Sequence, residues 1–152
     1  MKRFFLFSVA LVVLLSGFTS PAPVNNTIAI IVNASNPIEK MTLTVVRIYW
    51  LRIGKKRWPG INKSIKPVNR KTKCKEKETF LSKILEMKDD DVESYFTAKQ
   101  YQYAEVPPEK FLTDAEIIDY VSNEEGAIAF VNAGSVEVAK NSRVKIVYQF
   151  VE

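Results

Sequence analysis

Residues 65–85 read IKPVNRKTKCKEKETFLSKIL. Ile65, Pro67 and Val68 give a short apolar strand, with Pro67 marking its start or an edge position. Asn69 to Lys75 is too polar and too basic to be buried and reads as a loop. Phe80, Leu81, Ile84 and Leu85 then recur at helical spacing. A strand running through a loop into a helix is the repeating unit of open α/β sheets, which bind ligands beyond the carboxyl ends of their strands. The first N–H groups of a helix have no internal partner and lie at the positive end of its dipole, so they favour an anion. Arg70, Lys71, Lys73, Lys75 and Lys77 gather at this corner, offset only by Glu76 and Glu78. The plain alternative is a solvated charged loop.

Strand and helix signals alternate outward from this stretch. Thr27 to Val32, TIAIIV, is a run of mainly β-branched apolar residues. It reads as a strand buried on both faces, which suggests a parallel sheet. Asn33, Ala34, Ser35, Asn36 and Pro37 follow as a turn. Thr42 can cap a helix to about Leu51, with Leu43, Val46, Tyr49, Trp50 and Ile53 on one face and Gly54 as its stop. The β-branched residues there would also suit a strand. Trp58-Pro59-Gly60 marks a turn, with Trp58 plugging the sheet edge.

Downstream, one of Asp89, Asp90 and Asp91 can cap a helix to about Tyr103. Three aspartates at a helix start fit capping and the dipole better than a metal site. Tyr101 to Pro108 reads as an aromatic and proline-rich connection. Thr113-Asp-Ala-Glu116 is a capping box opening a further helix. Ala127 to Val131 is a second buried strand, Asn132 to Ser135 a turn, and Val144 to Val151 a last strand whose imperfect alternation would suit an edge. The expected fold is α/β, a three-layer sandwich with a mainly parallel sheet. The loops after Val32, Val68 and Val131 are expected to converge at one edge.

Composition narrows the function. Lys2 and Arg3, the apolar run Phe4 to Leu15 and the small residues that follow form a secretory signal peptide, expected over residues 1–22. The run is short of the roughly 20 residues a membrane span needs. Residues 24–152 are expected to be one domain, periplasmic or secreted, touching a membrane only through the leader. The chain of 152 residues has 22 basic and 17 acidic residues, and two of the basic ones lie in the leader. The remaining excess is mild and is not interleaved with stacking aromatics, which argues against nucleic acid. No histidine is present. That removes Ser-His-Asp and Cys-His catalysis and most zinc sites, and there is no Gly-x-x-x-x-Gly-Lys nucleotide loop. The single cysteine, Cys74, precludes an internal disulfide and reads as a bystander, although neighbouring lysines would favour its thiolate. These residues indicate a protein that is not an enzyme and needs no cofactor.

The order of motifs resembles a known family. A strand ending IVNASNP is followed by a helix and a Gly-Lys-x-x-x-Trp-Pro turn (Gly54, Lys55, Trp58, Pro59), then by IKPVNR, FLSKILEM, the pair Tyr95 and Phe96, and EEGAIAFV. The pattern, from Ile28 to Val131, is similar to the phosphate-binding proteins of ABC transporters, of the type II periplasmic-binding fold, and more closely to their short single-lobe relatives. The resemblance implies an exported phosphate or oxyanion-binding module. Its ligand residues would be Ser35, Asn69, Arg70, Thr72, Lys73 and Lys77. An ABC permease or another protein would cover the open cleft face. Family members carry glycines and hydroxyls in the loop after the second strand. Here Lys71, Thr72, Lys73, Cys74 and Lys75 stand there, and Lys77 replaces an arginine, so the close backbone approach of glycine and the bidentate fork are missing. A lobe of about 130 residues with an open site implies binding on the order of millimolar to tens of micromolar. The alternative is an interaction module that kept the fold and lost the ligand.

Overall fold

The computed structural model describes residues 27–151; the expected leader lies outside them. No helix in the described residues is long and apolar enough to cross a membrane. Strand β1 (Thr27–Asn33) is buried along nearly its whole length. Its side chains alternate between two cores, Ile28, Ile30 and Val32 on one face of the sheet and Ala29 and Ile31 on the other. That two-sided burial is the reason for its continuous apolar sequence.

Helix α1 (Leu43–Trp50) is capped by Thr42, whose side chain accepts from the Val45 N–H. Strand β2 (Lys66–Arg70) leads to α2 (Lys75–Phe80), which widens into a π-helical segment, Leu81–Leu85. Then come α3 (Asp89–Tyr103), β3 (Glu109–Phe111), α4 (Asp114–Asn123), β4 (Ala127–Asn132), α5 (Ala133–Ala139) and β5 (Val144–Val151). Helices α1, α2 and α3 cover one face of the sheet, and α4 and α5 the other. This is the expected three-layer α/β sandwich.

The sheet order is β3-β2-β4-β1-β5. Strand β2 pairs in parallel with β3 and β4, whereas β1 is antiparallel to both β4 and β5. Four of the five strands therefore share one direction, and β1 alone is reversed. The apolar run that suggested parallel pairing belongs to the reversed strand, because burial on both faces follows from helices on both sides whatever the direction. Pro67 lies inside β2 without breaking a ladder. The Lys66 N–H bonds the Gly126 carbonyl on the β4 side, so the Pro67 nitrogen faces the β3 side, where pairing begins only at Val68.

The first core is built on rings. Trp50 lies edge-on to Phe80 and Phe96, and Phe80 stacks on Phe130 of β4 at 4.2 Å. Trp58 stacks on Tyr49 at 4.7 Å and donates from Nε1 to the Gly126 carbonyl at 2.9 Å. It thereby holds the turn after α1 against the start of β4, the middle strand, from within the core. Phe80, Leu81, Ile84 and Leu85 are all buried, and the wide π turn closes at Glu86, in the left-handed conformation. On the other face of the sheet, Thr113 and Glu116 form the expected capping box at the exposed start of α4.

Candidate functional site

Two corners lie where parallel strands end. The first follows β2. Asn69 is 1% exposed, its Oδ1 accepts from the Arg70 N–H at 2.8 Å, and its Nδ2 has no hydrogen-bond partner. Alternation along β2 sends Asn69 toward the α2 face and Arg70 toward the α4 face. Arg70 is buried too. Its guanidinium forms an ion pair with Asp114 and donates to the Leu112 carbonyl at 3.2 Å, while Nε has no hydrogen-bond partner. Lys71, Thr72 and Lys73 are exposed in the loop beyond.

Asp114 ties this corner to the end of β4. Besides pairing with Arg70, it accepts from Ser135 Oγ at 2.5 Å and from the Asn132 N–H at 3.2 Å. Its place in the first turn of α4 suits a carboxylate. Glu116 of the same turn accepts from the N–H groups of Thr113 and Leu112, and these hold its carboxyl below the ordinary value.

Lys77 points elsewhere. It is 4% exposed and its Nζ lies 2.7 Å from Asp89 at the start of α3. Beside that pair runs an open groove of about 270 Å³ with Leu81 and Met87 among its walls and Lys73 and Lys88 on its rim. The aspartate triplet does open α3, but the N-cap residue is Lys88, and Asp89 serves Lys77. Helix α2 has only six α-helical residues before the π segment, so its dipole contributes less to the corner than a longer helix would.

Ser35 is not part of this corner. The reversal of β1 carries its C-terminal turn to the opposite end of the sheet, since Val32 pairs with Ile128 while Ile28 pairs with Asn132. The expected convergence of the loops after Val32, Val68 and Val131 therefore holds only for the last two. Ser35 donates from both its N–H and its Oγ to Asn33 Oδ1, at 2.9 and 2.8 Å. Asn33 Nδ2 in turn donates to the carbonyls of Val121 and Ser122. This network fastens β1 to the end of α4.

Cys74 precedes α2 and is partly covered. Burial pushes its thiol up, outweighing the Lys77 backbone N–H and the Arg70 charge that act the other way. The thiolate that nearby lysines suggested is not favoured. Among the described residues, no group of three or more histidine, cysteine, aspartate or glutamate side chains could hold a metal.

Asp114, Asp89 and Ser135 were not among the ligand residues expected from the sequence. The signal for Asp114 was its position inside the capping box, which fixes it at the start of a helix. Nothing local indicated that this start packs beside the end of β2.

The fold has solved counterparts. An ABC-type phosphate transport receptor from Vibrio cholerae superposes with a TM-score of 0.58 at 19% identity, over 79% of this chain and 44% of that one. PstS from Borrelia burgdorferi superposes with a TM-score of 0.60 at 14% identity, over 80% of this chain and 46% of that one. The chain thus spans less than half the length of these two proteins, and at such identities the likeness is one of fold. No family model matches the chain, and no curated protein matches it.

Proposed function

We propose that the protein is a non-enzymatic, exported binding module for phosphate or a similar oxyanion, acting at the corner where β2 ends. The observation that carries this reading is a buried donor with no hydrogen-bond partner, Asn69 Nδ2, followed directly by the exposed loop of Lys71, Thr72 and Lys73. Buried donors are nearly always paired, and an oxygen of a bound anion would satisfy this one. Lys71 and Lys73 supply charge, and Thr72 a hydroxyl. No ion pair engages these two lysines among the described residues. Arg70 and Lys77 already face Asp114 and Asp89, so they shape the corner more than they charge it. Ser35 lies too far away to share that ligand. The names of the solved counterparts, a phosphate transport receptor and PstS, favour the same ligand class and an ABC permease as partner.

The test is thermal unfolding across a phosphate series, with sulfate and chloride at matched ionic strength. At a Kd of about 1 mM, 100 mM phosphate stabilises by about 2.7 kcal/mol, a rise of roughly 10 °C in Tm for a domain of this size. Lys73→Ala with Thr72→Ala should remove most of that rise. An equal response to all three salts would sink the reading.

A second reading is favoured by a separate observation. Tyr101, Tyr103 and Val106 are 86%, 62% and 69% exposed near the end of α3. Exposed aromatic clusters mark interaction surfaces, and a protein-binding module would use this face while ignoring phosphate. Retention of a partner that Tyr101→Ser with Tyr103→Ser abolishes, together with a flat phosphate response, would select it.

A further inference from the structure

The groove beside the Lys77–Asp89 pair owes its shape to the backbone. After Phe80 the helix widens into the π turn Leu81–Leu85 and stops at Glu86, whose φ is 54°. The Met87 N–H then bonds the Leu81 carbonyl at 3.1 Å, which folds Met87 back toward Leu81. Helix α3 starts two residues later, and Asp89 completes the wall. Turns of the π type recur at functional sites.

The lining divides into an apolar wall and a charged rim. Leu81 is 4% exposed and Met87 is half-buried. Asp89 is already matched by Lys77 at 2.7 Å. The remaining charges are Lys73, Lys88 and Glu78, all exposed. No ion pair engages Lys73 or Lys88 among the described residues. Two open ammonium groups against one carboxylate leave the rim favourable to an anion.

Lys73 belongs to two places at once. It stands in the loop after β2, and it also lines the groove. Asn69 Nδ2, buried and without a partner, is sent by strand alternation to the α2 face. The groove borders α2 on that face. An anion held by Asn69 and Lys73 therefore has about 270 Å³ of largely apolar space beside it. Inorganic phosphate has nothing to put there. Small-ligand sites combine apolar walls with a few convergent polar groups.

We propose that the β2 corner prefers a phosphomonoester with a short apolar body over free phosphate. This inference rests on the oxyanion reading above and narrows its ligand class. The phosphoryl group lies at Asn69, Thr72 and Lys73, and the ester chain runs along Leu81 and Met87.

The experiment is thermal unfolding of the full chain with inorganic phosphate, methyl phosphate, butyl phosphate and 1-butanol, with chloride holding ionic strength constant. Methyl phosphate keeps the head group, and butyl phosphate adds only the apolar body. Butyl phosphate should give the same Tm rise as methyl phosphate at a concentration about tenfold lower. The alcohol alone should give none. Ser82→Trp fills the groove from an exposed position without removing a charge. It should erase the butyl advantage and leave the inorganic phosphate response unchanged. Met87→Ser removes an apolar wall and should erase most of that advantage; if Ser82→Trp does not fold, Met87→Ser decides. Lys73→Ala should weaken both esters alike. Equal potency of the two esters, with inorganic phosphate still active, would overturn this proposal and leave the oxyanion reading standing. No response to any of the three phosphates would overturn both. An undiminished butyl advantage in Ser82→Trp would also overturn the proposal.

Discussion

The ion pair between Arg70 and Asp114 sets a measurable stake on the corner after β2. The two side chains are 8% and 16% exposed, so removing either partner leaves a largely buried charge. Breaking such a pair from one side costs about 3–5 kcal/mol. In Arg70→Met, Asp114 keeps Ser135 Oγ and the Asn132 N–H and still benefits from the α4 dipole. The expected loss is therefore at the low end, about 3 kcal/mol. Asp114→Asn strands the guanidinium on the Leu112 carbonyl and should cost about as much. With both charges gone, the double variant should lose less than the sum of the two by about 2 kcal/mol. Urea melts at unchanged m-value would read these differences as shifts in midpoint. A loss below about 1 kcal/mol for Arg70→Met, or two single losses that add within about 0.5 kcal/mol, would refute the argument. A loss of this size is a large share of a domain's total stability. A missing phosphate response in an Arg70 variant would therefore not by itself implicate Arg70 in binding, and Lys73 is the cleaner probe.

Two further outcomes test the fold around the site. Gly126→Ala would drive a Cβ into the Ser64 carbonyl oxygen, while the Gly126 carbonyl is already held by Trp58 Nε1 and the Lys66 N–H. Overpacking and distortion of these hydrogen bonds should together cost about 3 kcal/mol in a urea melt, and a loss under about 1 kcal/mol would show that the strands can part. Tyr120 is pushed up to about 12, by burial first and then by Glu124 and Glu109. Its unfolded value is near 10, so this contribution to stability is complete below pH 10 and declines as pH rises toward 12. An absorbance titration at alkaline pH should show one tyrosine ionising last, and Tyr120→Phe should remove that phase.

Much of the architecture was written locally. The Thr113–Glu116 box, the Thr42 cap and the apolar runs of β1 and β4 each act over a few residues, and each forms as read. Strand β3 was missed because Glu109, Lys110 and Phe111 follow two prolines and show no alternation over so short a span. Helix α5 was missed because Ala133, Gly134 and Ser135 carry turn chemistry as readily as helix chemistry. The direction of β1 left no trace, since side chains buried on both faces do not report which way their strand runs. The site was legible only where its residues adjoin in sequence. Asn69 to Lys73 could be found as a cluster, but the carboxylates that face Arg70 and Lys77 come from helix starts further along the chain.

The reversal of β1 also decides where the two ends of the described chain meet. Thr27 pairs with Val151, and Ile28 pairs with Asn132, so the polypeptide enters and leaves the sheet at the edge where β2 and β4 terminate. Anything tethered to either terminus is delivered to the end of the sheet that carries the Lys71–Lys73 loop. A retained leader would turn that corner toward the lipid surface, and a protein immobilised by its end would present the same edge to the support. If phosphate binds as proposed, acidic affinity tags attached there would compete with it for Lys71 and Lys73, so the salt series is best run on tag-free protein.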